Sequence, residues 1–120
     1  MLIYDNLKKF SRSQPNKACL INGSRLITYR EMDTMVDNYA HGLGNSVRKG
    51  DAILIKLNDP VEQLLYLLSI SKLGAAAVLA DPLTPEDLFI DLVKRANAAF
   101  CIDDSFSLQD SEADVLPEVN

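Results

Sequence analysis

At 120 residues, 48% of them hydrophobic, the chain is long enough for one domain and apolar enough for a real core, which argues against disorder throughout. Its net charge of −5 is unevenly placed: all twelve basic side chains and twelve of the seventeen acidic ones fall within residues 1–103, so the excess lies after Asp103. The absence of a basic patch argues against a nucleic-acid partner. No apolar run approaches the roughly 20 residues that span a bilayer, because Lys56, Asp59, Lys72 and Asp81 interrupt them.

The first ten residues carry Asp5, Lys8 and Lys9 and lack a signal-peptide core, so a cytoplasmic setting is expected. Ile3, Leu7 and Phe10 fall on one face of a short helix that Pro15 ends. Ala18–Ile21 and Leu26–Tyr29 read as two strands. They are joined either by an Asn22-Gly23 tight turn or by a four-residue Asn22–Arg25 connection. Thr28 and Glu31 then form a capping box. The helix behind it places Met32, Met35, Val36, Tyr39, Ala40, Leu43 and Val47 on one stripe, and Gly42 and Gly44 end it near residue 44.

A Lys49-Gly50-Asp51 turn leads to Ala52–Leu57, a nearly continuous apolar run suited to a parallel strand covered on both faces. Asn58-Asp59-Pro60 supplies cap and first-turn chemistry for a helix over Pro60–Leu73, apolar almost all round, with Gly74 as its left-handed terminator. Ala75–Ala80 reads as a second buried strand. Thr84-Pro85-Glu86-Asp87 starts a helix with Leu88, Leu92, Val93 and Ala96 inward, and Ala98–Ile102 is the third buried strand. The fold class is therefore α/β: a three-layer parallel-sheet fragment with flanking helices and an N-terminal hairpin. Residues 1–103 form the folded unit, and the acidic residues 104–120 a linker or frayed tail.

Few residues carry chemistry. His41, the single histidine, lies beside the inward stripe of its helix and reads as structural or solvent-facing. Cys19 and Cys101 sit in apolar runs and read as buried free thiols. Met32 and Met35 are core filler. Asp103-Asp104 follows a parallel strand where α/β proteins place ligands, yet a metal there would need further ligands. Asp81-Pro82 reads as turn chemistry, and Asn58-Asp59 as a helix cap that could also line a pocket. No residue is assigned to catalysis, to cofactor binding or to a metal.

Several segments, taken in order, resemble the opening of the AMP-forming acyl-CoA synthetase superfamily of adenylate-forming ligases. They are Pro15-Asn16-Lys17-Ala18, Leu26-Ile27-Thr28-Tyr29-Arg30-Glu31-Met32, Arg48–Ile55, Asn58–Glu62, Lys72–Pro82 and Leu83–Leu88. The likeness covers residues 5–103 and rests on order and spacing. Ala77 stands where the family commonly has an aromatic residue, and Leu79 where it commonly has proline. The resemblance implies acyl-adenylate and then thioester formation, with ATP, magnesium and coenzyme A in the complete enzyme. It places the phosphate loop and catalytic lysine further along than these residues. Some relatives hold coenzyme A phosphates with basic residues after the strand matching Ala98–Ile102; here that stretch is acidic, and the role is not carried over.

The leading expectation is thus an N-terminal subdomain of a carboxylate–CoA ligase or related adenylating enzyme, a scaffold whose partner is the remainder of the enzyme, with self-association through an exposed sheet edge or apolar face. The alternatives are a stand-alone module binding an acyl carrier or complementary fragment, and an unrelated flavodoxin-like domain.

Overall fold

A computed structural model describes residues 3–106. The elements are α1 (Ile3–Ser13), β1 (Ala18–Asn22), β2 (Arg25–Thr28), α2 (Tyr29–Leu43), β3 (Ala52–Lys56), α3 (Pro60–Lys72), β4 (Ala76–Leu79), α4 (Glu86–Ala96) and β5 (Phe100–Asp103). Strands β1 and β2 pair antiparallel, and β4-β3-β5 form a parallel sheet with β3 in the centre. The α/β class expected from the sequence is the one observed. Most of the expected acidic tail, from residue 107 onward, lies outside the described residues, as does the side chain of Ile3.

Local signals set most boundaries. Asn22 pairs with Arg25, leaving Gly23-Ser24 as a two-residue loop with Gly23 at φ 64°. A positive φ at the first central position is the geometry for which glycine is preferred in a primed hairpin turn. Thr28 Oγ1 accepts from the Glu31 amide at 3.2 Å, and Glu31 Oε1 accepts from the Thr28 amide at 3.0 Å. These reciprocal bonds satisfy two otherwise orphaned donors and fix the start of α2. The Asp59 carboxylate does the same for α3 by accepting from the Val61 amide at 2.9 Å, with Pro60 in the first turn.

Helix α3 is apolar on two sides because it belongs to two cores. Leu65 and Leu68 pack with Leu7, Ile27, Met32 and Val36, joining α3 to α1, the hairpin and α2. Tyr66 and Ile70 pack with Ile53, Ile55 and Ile102 on one sheet face. The buried hydroxyl of Ser69 donates to the Leu65 carbonyl at 2.6 Å and approaches the Val36 carbonyl at 3.3 Å, tying α3 to α2. Ion pairs close the surface of this packing: Lys8 reaches Asp33 and Asp37, both at 3.1 Å, and Lys72 also bonds Asp37. Burial pulls the Asp37 carboxyl upward, but Lys72 and Lys8 outweigh it and hold the group below the usual carboxylate range.

Several expectations need correction. Neither outer strand is buried as expected: β4 has Ala76 and Leu79 exposed, and β5 has only Ile102 fully buried, because both are edge strands and only β3 is enclosed by neighbours. In α4, Leu92, Val93 and Ala96 are half-buried, while Leu88 is 54% exposed; no residue of the helix is fully buried. Three strands offer a narrow face to an eleven-residue helix, so part of its apolar stripe has nothing to cover it among the described residues. The cysteines are free thiols but half-buried rather than buried.

Gly74 holds φ 80°, and a Cβ there would come within 3.1 Å of Lys49 Cγ. Gly74→Ala is expected to destabilise the chain by about 1–2 kcal/mol. Gly44→Ala, at a right-handed φ of −58°, should stay within about 0.5 kcal/mol. Urea unfolding of the two variants checks the contrast; equal effects would contradict it.

Candidate functional site

From the central β3 the chain passes through α3 to β4 on one side, then returns through α4 to β5 on the other. Right-handed crossovers running in opposite directions place their helices on opposite faces. The packing agrees: Ile53, Ile55 and Leu57 meet Tyr66 and Ile70 of α3, while Lys56, of opposite parity, meets α4. Its ammonium lies 4.7 Å from the Phe89 ring centroid and donates to the Thr84 carbonyl at 3.1 Å. In sheets that reverse their direction of growth in this way, ligands bind outside the carboxyl ends of the strands at the reversal. Here those ends are Lys56–Asp59 and Asp103–Ser105.

The Asn58 side-chain amide donates to Asp104, and the Asn58 backbone amide approaches the same carboxylate at 3.3 Å. This bridge separates two clefts. On the α3 side a cavity of about 330 Å³ is lined by the apolar and aromatic Leu57, Tyr39, Tyr66 and Phe106 together with the carboxylates of Asp59, Glu62, Asp103 and Asp104. On the other side a cavity of about 260 Å³ is lined by Lys56, Asn58, Pro82, Asp103, Asp104 and Ser105. The Tyr39 hydroxyl donates to Glu62, 2.8 Å from each carboxylate oxygen. Burial, reinforced by Glu62, pushes the Tyr39 phenol well above its ordinary range, and burial lifts Tyr66 to about 12. Asp103 accepts from the Ser105 hydroxyl at 2.6 Å, which holds its carboxyl below the ordinary range.

The structure thus brings Asn58, Asp59, Asp103 and Asp104 to one edge. Asp81, just past the carboxyl end of β4 on the same edge, does turn chemistry, accepting from the Leu83 amide at 2.9 Å. His41 is exposed on the last turn of α2 and lines an open groove with Asp37 and Lys72, near the amino ends of the strands. Met32 is fully buried and Met35 half-buried, as core residues. Sequence reasoning missed Glu62, the hydroxyl of Tyr39, and Phe106. The position of Glu62 one turn past a strand end was the available signal.

Nucleotide phosphates do not fit these residues. A phosphate cradle needs free backbone amides at a helix N-terminus behind a glycine-rich turn. Each described helix carries acid in its first turn instead: Asp5, Glu31, Glu62, and Glu86 with Asp87. These carboxylates already neutralise the positive helix ends and would repel phosphate. Among the described residues no group of three His, Cys, Asp or Glu is placed to hold a metal, and no helix is long and apolar enough to cross a membrane.

A helix and hairpin ahead of a three-stranded parallel layer, with an acidic carboxyl edge, define the class: an α/β unit. The family is AMP-binding enzyme, whose sequence pattern matches residues 7–119; the chain belongs to it, as its N-terminal part. It is 29% identical over 100 residues to surfactin synthase subunit 2 of Bacillus subtilis, covering 79% of this chain and 3% of that protein. It is 28% identical over 102 residues to 4-coumarate–CoA ligase of Vanilla planifolia, covering 82% and 18%. The NpsA N-terminal subdomain of Klebsiella oxytoca, in complex with 3-hydroxyanthranilyl-AMSN, superposes with a TM-score of 0.84 at 26% identity over 95% of this chain and 31% of that one. The chain spans less than a third of the length of each of these proteins.

Proposed function

We propose that residues 1–103 serve as the N-terminal subdomain of an ATP- and magnesium-dependent adenylating enzyme, a carboxylate–CoA ligase or a relative that loads a carrier thiol. Residues 104–120 link this unit to the rest of the enzyme, which works in the cytoplasm. The subdomain supports the sheet and one wall of the acyl pocket, while the groups that hold nucleotide lie in the remainder of the enzyme. The observation that carries this reading is the acid in the first turn of each described helix, within a chain that belongs to the AMP-binding family.

The remainder of the enzyme is the partner. Leu79, Leu83, Leu88 and Ile90, between 47% and 87% exposed, mark where it docks, along the β4 edge and α4. Exposed apolar surface beside an open strand edge drives association. Titrating the chain with ATP and magnesium by calorimetry should give no saturable heat, and light scattering should show dimers or larger species at high concentration. Micromolar ATP binding would contradict the scaffold role. A strictly monomeric profile would contradict the docking face.

A further inference from the structure

We infer that Asn22, at the tip of the β1–β2 hairpin, is a site of spontaneous deamidation that places a carboxylate beside Arg25. The reaction needs a free side-chain amide, a free backbone amide on the next residue, and a backbone able to bring the two together. The described asparagines differ in these respects. Asn6 and Asn38 lie within α1 and α2, whose hydrogen-bond ladders engage the following amides. After Asn16, Asn45 and Asn97 the next amide is also taken, by the carbonyls of Gln14, Leu43 and Val93 at 3.2, 2.9 and 3.1 Å. The Asn58 side chain donates to Asp104. Among the described asparagines, Asn22 alone combines an unbonded side chain with an unbonded following amide, that of Gly23.

The hairpin tip also supplies the freedom to react. Asn22 and Gly23 are both exposed, and a Cβ at Gly23 would meet nothing within 4 Å. Asn22 pairs with Arg25 as the last rung of a sheet of only two strands. Such a ladder is marginal by itself and frays from its end, so the Asn22 backbone turns at little cost. The Gly23 nitrogen bonds to the side-chain carbonyl carbon of Asn22, and the carbon–nitrogen bond of that side-chain amide breaks. Ammonia leaves with the proton of the Gly23 amide, and the chain holds a five-membered succinimide. Water then opens the ring at either carbonyl, giving aspartate or its isoaspartyl isomer. Directly opposed residues on antiparallel strands share a face. The new carboxylate therefore stands opposite Arg25, whose guanidinium lies 3.6 Å from Asp59, the cap of α3. Arg25 gains a second anionic partner, and the net charge moves one unit beyond −5. The inference rests on the hairpin and does not depend on the adenylating role.

The tryptic peptide of residues 18–25, cut after Lys17 and Arg25, reports the reaction once the whole chain has stood in warm, mildly alkaline buffer. Mass spectrometry should find the parent and two heavier isomers, with the isoaspartyl form in excess. Conversion should run within about tenfold of its rate in the free peptide of the same residues, because a frayed end opens readily. Peptides holding the other described asparagines should convert far more slowly. Gly23→Ala, which sets a side chain beside the attacking nitrogen, should slow the reaction about fivefold or more with the circular dichroism spectrum unchanged. If that variant loses its native spectrum, the ranking among the asparagine peptides of the wild type decides. Conversion about a hundredfold slower than in the free peptide, equal or faster conversion at another described asparagine, or a wild-type rate in folded Gly23→Ala would each overturn the inference.

Discussion

Replacing Leu65 by alanine is expected to destabilise the chain by about 2–5 kcal/mol and to lower its melting temperature by about 10 °C or more. Leu65 has no exposed surface and sits in the core that joins α1, the hairpin, α2 and α3. Deleting its side chain loses the transfer energy of the removed carbons and opens a void bounded by four elements. The backbone there has little room to collapse, because Ser69 anchors the adjacent turn of α3 to α2. Leu83→Ala is the control: at 87% exposed, Leu83 should contribute less than about 0.5 kcal/mol. Thermal melts followed by circular dichroism measure both. A Leu65→Ala loss below that of Leu83→Ala would show that the helical layer is not the core described here.

The second large effect is alkaline. Tyr66 is nearly buried, and its folded phenol is raised from 10.0 to about 12. A phenol raised on folding contributes stability that is fully present below its unfolded pKa and lost as pH climbs through its folded one. The chain should therefore lose stability between pH 10 and about 12, with Tyr66 accounting for about 2–3 kcal/mol. Tyr39 and Lys8, both also raised, push the same way. Urea unfolding at the two ends of that window should show the loss in the wild type and a shallower one in Tyr66→Phe. Identical slopes would mean that the phenol is exposed to water.

The elements that were legible in the sequence share one property: their signals are local. Thr28 and Glu31 are three residues apart, Asp59 caps the helix that begins at the next residue, and Gly74 ends α3 where a positive φ is required. Each local choice has a single low-energy outcome, so the sequence alone states it. The misread elements depended on what lies beside them. An alanine-rich run such as Ala75–Ala80 reads the same for an enclosed strand and an edge strand, and strand order decides between them. The stripe of α4 marks a face to be covered without saying what covers it. The candidate site divided along the same line. Asp103-Asp104 and Asn58-Asp59 were visible as strand ends, whereas their bridge spans 46 positions and the Tyr39–Glu62 bond spans 23. Contacts of that range exist only once the sheet has formed.

The most direct test of the account is a graft. Residues 5–103 would replace the matching segment of the Klebsiella oxytoca NpsA subdomain, beside a control graft from the vanilla 4-coumarate–CoA ligase and a variant with the segment deleted. The account predicts a folded chimera that binds 3-hydroxyanthranilyl-AMSN, and a deletion variant that does not. Success of the vanilla graft together with failure of this one to fold or bind would contradict a scaffold role for these residues.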